Sequence, residues 1–92
     1  MPFVQSAEIW VPEREQFVFT FHVPASGDLW TFVVSKKVLE ELCGRSLDDP
    51  EMEFTQFRSQ IYLAAQHRMG WADPTRQQSI EAEEIKAAEG EP

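Results

Sequence analysis

Residues 16–35, QFVFTFHVPASGDLWTFVVS, alternate large apolar side chains with smaller or polar ones on both sides of Pro24-Ala25-Ser26-Gly27. A period of two interrupted by a turn-forming tetrapeptide predicts an antiparallel hairpin. With these four residues as the loop, Phe21 lies opposite Trp30, Phe19 opposite Phe32 and Phe17 opposite Val34, so the large apolar side chains share one face. The other face then pairs Val18 with Val33, Thr20 with Thr31 and His22 with Leu29. A slip of one residue would set Phe21 against Thr31 and send Trp30 to the wrong face, so burial selects this register. The stretch holds four of the seven Phe residues. Its apolar face must therefore be covered by the rest of the chain.

Ninety-two residues suffice for one domain, which at this size buries roughly 60–65% of its extended surface. A hydrophobic fraction of 42% with 26% charged residues places the chain among folded globular proteins and not among disordered ones. Sixteen acidic against eight basic residues give a net charge of -8, which repels phosphate backbones and anionic membranes. The basic residues are scattered singly apart from Lys36-Lys37, so direct nucleic-acid binding is not expected. One cysteine, Cys43, excludes an intramolecular disulfide and fits a reducing compartment. Without a basic-then-apolar leader or an apolar run near eighteen residues, the expected location is cytoplasmic.

Ahead of the hairpin, Ala7-Glu8-Ile9-Trp10-Val11 is a strand closed by Pro12, which suits a sheet edge because proline donates no ladder hydrogen bond. The short connector Glu13-Arg14-Glu15 favours an antiparallel neighbour. After the hairpin, Ser35 is placed to cap a short helix in which Val38, Leu39, Leu42 and Cys43 recur at helical spacing and Gly44 ends it. Asp49-Pro50-Glu51 supplies a cap, a proline at the first helical position and a first-turn acid. From there Phe54, Phe57, Ile61, Ala64, Ala65 and Arg68 mark one face of a helix of about five turns, ending near Met69-Gly70. That face, Phe57 included, is the expected lid of the hairpin, with Trp71 folding back on the last turn. Beyond Asp73-Pro74 only Ile80 and Ile85 are large and apolar. Propensity favours helix there, while Ser79-Ile80-Glu81-Ala82-Glu83 alternates like an edge strand. The reading is therefore a compact α+β core over residues 1–74, a short edge strand or helix over 75–86 and a mobile acidic tail over 87–92.

Candidate chemistry is sparse. Cys43 with His22 or His67 lacks an orienting group and an oxyanion hole, and Cys43 lies on the apolar face of its helix, where a structural role is expected. One Cys and two distant His residues do not make a zinc site. Asp48, Asp49, Glu51 and Glu53 lack the spacing of a calcium loop and serve a helix N-terminus instead. No cofactor is expected, since the four glycines stand apart at turns and caps. Trp10, Trp30 and Trp71 are read as core residues before a ligand pocket. Arg58 and Arg68 are expected to pair with nearby acids, contacts that contribute little at a surface.

Several elements together resemble the small bacterial family called Domain of Unknown Function fourteen-eighty-eight. They are Phe3 and Trp10 ahead of the hairpin, Phe17-x-Phe19, the Gly27 turn and Val38-Leu39-Glu40-x-Leu42. Further on come Phe54-x-x-Phe57-Arg58-x-x-Ile61 with Ala64-Ala65, and Ser79-Ile80-x-Ala82. The resemblance spans about residues 3–85. It implies an α+β domain in which strands and two helices share one core, in keeping with the chain's own pattern of a small antiparallel sheet, the hairpin plus one or two edge strands, packed against two helices. It also favours a final strand over residues 79–83, and it implies no activity. The loop Pro24-Ala25-Ser26-Gly27 and the acidic end after Ile85 depart from the family pattern.

The expected function is that of a non-catalytic module that binds a protein partner or forms a homo-oligomer, with sheet edges open to another chain. Thr20, His22, Thr31, Trp71, Glu81, Glu83 and Glu84 are the candidate partner surface. The alternative is an acidic inhibitor or nucleic-acid mimic occupying a basic groove on a nucleic-acid-handling protein.

Overall fold

The computed structural model describes residues 3–70, 72–73 and 76–89. Strand β3 (Gln16–Val23) and strand β4 (Asp28–Ser35) form the central hairpin. Their register pairs Phe17 with Val34, Phe19 with Phe32, Phe21 with Trp30 and Thr20 with Thr31, as the alternation predicts. Gly27 closes the loop at φ 77°, a left-handed conformation that glycine adopts without a Cβ clash.

Two short strands, β1 (Val4–Gln5) and β2 (Ile9–Val11), line the free edge of β3, both antiparallel to it. The sequence reading anticipates β2 and omits β1, whose two residues carry no alternation to detect. Between them Ser6 holds the edge, its Oγ accepting from the Thr20 N–H at 2.9 Å.

Helix α1 (Lys36–Cys43) begins on Ser35, whose side chain accepts from the Val38 N–H, and ends on left-handed Gly44. Helix α2 (Pro50–Met69) is capped by Asp49 with Pro50 in its first turn and Glu51 and Glu53 beside it. These starts and stops lie where capping chemistry places them.

The chain then crosses back to the far edge of β4. Strand β5 (Gln78–Ser79) pairs with β4 in parallel, followed by helix α3 (Ala82–Glu89). The domain is α+β as expected, but it has five strands and three helices among the described residues. The sheet is mixed because α1 and α2 intervene between β4 and β5, which is the crossover that a parallel neighbour requires.

Residues 79–83 are not one strand: β5 ends at Ser79 and α3 starts at Ala82. Packing continues past residue 74, because Ile80, Ala82, Ile85 and Ala88 are all buried in the core; of the tail expected over 87–92, residues 90–92 lie outside the described residues.

All three helices lie over one face of the sheet. Phe17, Phe19, Phe21, Trp30, Phe32 and Val34 meet Phe54, Ile61 and Tyr62 of α2 and the apolar side of α3 in one cluster. Phe54 is the centre of the lid, fully buried and 4.7 Å from the Phe17 ring centroid. Phe57, expected to share that role, is only half-buried at the margin, and Tyr62 takes its place. Tyr62 lies against Phe19 and Phe21, at ring-centroid distances of 4.8 and 5.8 Å, while its hydroxyl reaches Glu8 and the carbonyl of Ser6. Trp71 lies outside the described residues.

Candidate functional site

Two kinds of surface are candidates: polar clusters where the elements are tied together, and the sheet face that no helix covers.

The first polar cluster joins the N-terminal strands to α2. Arg58 donates to Oε1 of Glu8, and the Tyr62 hydroxyl donates to Oε2 of Glu8 at 3.2 Å and lies 3.5 Å from the carbonyl of Ser6. Burial pushes the Glu8 carboxyl up, yet its own backbone hydrogen bond, Arg58 and Tyr62 outweigh this and hold it below the usual carboxylate range. Burial, and then the Glu8 charge, push the Tyr62 phenol up to about 12. Both groups are thus held in their resting forms, an ionised carboxylate and a neutral phenol, with their polar atoms already engaged. A shallow depression lies on each side of the Glu8–Arg58 pair, of about 290 and 300 Å³. No nucleophile and base face one another in either one among the described residues. The arrangement fastens residues 6–8 to α2.

The second cluster ties β5 and α3 to the end of α2. Arg68 donates to both carboxylate oxygens of Glu84, at 2.8 and 2.6 Å, and to Oε1 of Gln78 at 2.8 Å. Glu84 also accepts from the Glu81 N–H at the start of α3, which is half of a capping box. Burial raises the Glu84 carboxyl, but Arg68 and the Glu81 N–H more than offset this and leave it below the usual range. Gln78 completes the tie by donating to the carbonyls of Asp73 and Arg76. Glu84 is therefore half of an internal clasp, which removes it from a free acidic surface; Glu81 and Glu83 are exposed beside it.

A cleft of about 380 Å³ opens at the loop end of the hairpin, between Phe3, Trp30 and Met69. Its titratable group among the described lining residues is Asp28, which accepts from the Ser26 hydroxyl at 3.0 Å. Cys43 is half-buried at the end of α1, its thiol near the carbonyls of Glu40 and Arg45 at 3.7 and 3.4 Å. His22 is exposed on the sheet and His67 on α2, while the Cys43 thiol lies against backbone carbonyls at the end of α1. Among the described residues, no three of His, Cys, Asp or Glu come together as a metal site. No helix among them is long and apolar enough to cross a membrane.

The uncovered face of the sheet follows from the register. Residues paired across the ladder share a face, so Val4, His22 and Leu29 form one row, Thr20 and Thr31 the next, and Ile9, Val18, Val33 and Ser79 a third. Val11, Gln16 and Ser35 complete the face at the α1 end. None of these is Asp, Glu, Lys or Arg, although the chain has 24 such residues by its counts of 8 and 16. Val4, Ile9 and Leu29 are 61, 65 and 53% exposed. Val33, in the middle of the face, is buried at 4% exposure, and the face lies outside the cluster that packs the Phe row against the helices. Thr20, His22 and Thr31, singled out from sequence, thus lie together on this face, while Glu81 and Glu83 lie apart from it beyond β5. Val4 and Ile9 join the face only through their pairings with His22 and Val18 of β3, eighteen and nine residues further along the chain.

No protein-family model matches the chain, and no curated protein matches it. Among solved structures, a similar fold occurs in the crystal structure of a protein of unknown function from the DUF1488 family from Shewanella loihica PV-4. The two chains are 21% identical and superpose with a TM-score of 0.69, over 86% of this chain and 91% of that one. The likeness shows the α+β fold; that protein's family is the one that the sequence motifs resemble.

Proposed function

We propose that this chain is a non-catalytic cytoplasmic module that binds protein, another copy of itself included, through the uncovered face of its sheet. The observation that carries the reading is that face: three large apolar side chains more than half exposed, with no formal charge among its strand residues on a chain of net charge -8. Soluble monomers seldom expose contiguous apolar patches beyond a few hundred Å² without a partner for them. Thr20, His22 and Thr31 supply hydrogen-bonding groups at its centre, and Val4, Ile9 and Leu29 supply the apolar area around them. The two polar clusters support the same reading, because their side chains are spent on holding the fold together.

The test is affinity capture from host cells with the wild type and Leu29→Glu as paired baits. Protein retained by the wild type and released by the variant, with little loss as salt is raised, is the expected result. Equal retention by both baits would overturn the assignment to this face. Retention that fades steeply with salt and depends on Glu81 and Glu83 would instead favour an acidic inhibitor acting on a basic groove.

A further inference from the structure

Away from the uncovered face, we infer that the cleft at the loop end of the hairpin binds a small organic cation, an ammonium group carried on an aromatic body. Asp28 and Trp30 pair with Val23 and Phe21, in the rows that face the helices, so the cleft lies on the other side of the sheet from Thr20, His22 and Leu29. It differs from the depressions beside Glu8 in what its polar groups have left to offer. There the carboxylate, guanidinium and phenol are tied to one another. In the cleft, the Asp28 side chain accepts one hydrogen bond, to Oδ2 from the Ser26 hydroxyl at 3.0 Å, and has no cationic partner among the described residues. The side-chain amide of Gln66, contributed by α2, makes no hydrogen bond among them.

Charge decides the class of ligand. The described lining residues include one carboxylate and no Lys, Arg or His, so an anion would meet repulsion and no counterion. One carboxylate also falls short of the several oxygen ligands that a hard metal ion takes. An ammonium group matches what is present: it can donate to the unused oxygen of Asp28 and to the Gln66 carbonyl, in charge-assisted bonds stronger than neutral ones.

The walls specify the rest of the ligand. Trp30 is buried and stacks on Phe32 with the two rings 5° from parallel, and Phe3 stacks on Phe21 with centroids 4.6 Å apart. Phe3 and Met69 are only half-buried, which leaves apolar surface for a ring to rest on. Rings backed by a second layer of rings form a wall already in place, so binding has little in the protein to order. Aromatic walls also attract a nearby cation. The volume of about 380 Å³ lies at the small end of ligand sites, about 300–1,000 Å³, and suits one fused ring with a short amine arm. A ligand of about a dozen non-hydrogen atoms in so open a site binds with a Kd of about 0.1–1 mM.

The test is an NMR titration of the full chain with tryptamine, the cation, and with indole-3-acetate, an anion on the same ring. Asp28 is exposed, so Asp28→Asn and Asp28→Lys keep the wild-type melting temperature, and Asn still accepts from Ser26. Tryptamine should move the backbone amides of Asp28, Trp30 and Gly70 saturably, with indole-3-acetate at least about tenfold weaker. Asp28→Asn should weaken tryptamine about tenfold, and Asp28→Lys should turn the preference toward indole-3-acetate. Diffuse attraction to the net charge of -8 would scarcely change in Asp28→Asn, which removes one unit of it. The inference is overturned by tryptamine shifts that do not saturate by about 10 mM, by equal affinity for the two probes, or by tryptamine affinity unchanged in Asp28→Asn.

Discussion

Tyr62 is the single tyrosine of the chain, so alkaline titration reads one site. Its hydroxyl lies 3.2 Å from Oε2 of Glu8, and the residue is 8% exposed. Burial first, and the Glu8 charge second, carry its ionisation from 10.0 to about 12, with Arg58 pulling weakly the other way. A displacement of that size corresponds to about 3 kcal/mol between the two protonation states. The folded state holds the phenolic proton more tightly than the unfolded chain does. The associated stability is therefore intact below about pH 10 and lost as pH rises from there through about 12. The assay is tyrosinate absorbance against pH, with far-ultraviolet circular dichroism followed in parallel. Half-ionisation should come near pH 12 or coincide with loss of the native spectrum if alkali unfolds the protein first. Glu8→Gln removes the neighbouring charge but keeps an acceptor, so its midpoint should fall part of the way toward 10 and stop there, since burial remains. A wild-type midpoint near 10 with a native spectrum would refute the account of how residues 6–8 are fastened to α2.

Phe54→Ala should cost about 3–5 kcal/mol, because Phe54 is fully buried against Phe17 and Phe19. Phe57→Ala, at the half-buried margin, should cost clearly less; denaturant melts of the two variants check the order. Glu8 and Glu84 both titrate below the usual carboxylate range, so the unfolded chain binds protons more tightly than the folded one. Stability from these pairs is present above the ordinary carboxylate range and lost as pH falls through their lowered values, and acid unfolding of Glu84→Gln should show a shallower dependence. At neutral pH the same variant should lose about 1–2 kcal/mol through the weakened Arg68 contacts, a figure that allows for partial exposure.

The hairpin register is legible because every aromatic ring of Phe and Trp in residues 16–35 falls on one side in one pairing. The starts of α1 and α2 were legible because Ser35, Asp49 and Pro50 act locally, within three residues of the groups they satisfy. What escaped detection is non-local or small. β1 is two residues long, and it is recognisable only against His22 and Phe21. The core role of α3 rests partly on Ala82 and Ala88, side chains too small to mark a hydrophobic stripe. Glu8, Arg58 and Tyr62 lie more than fifty positions apart at the extremes and carry no shared motif. For the candidate surface, the sequence reading reached Thr20, His22 and Thr31 by elimination, as the side of the hairpin away from the Phe row. Its extent across β1 and β2 needed the pairings themselves, and Glu84 was misplaced among the partner candidates because its guanidinium partner lies sixteen residues earlier.

The central claim is that the uncovered sheet face is occupied when the protein works. The chain has two histidines, His22 on that face and His67 on α2, both exposed. Imidazole-directed acylation in intact host cells, read by mass spectrometry against the dilute purified protein, compares them within one molecule. His22 should be protected in cells while His67 reacts as it does in dilute solution; equal reactivity of His22 in the two settings would contradict the account.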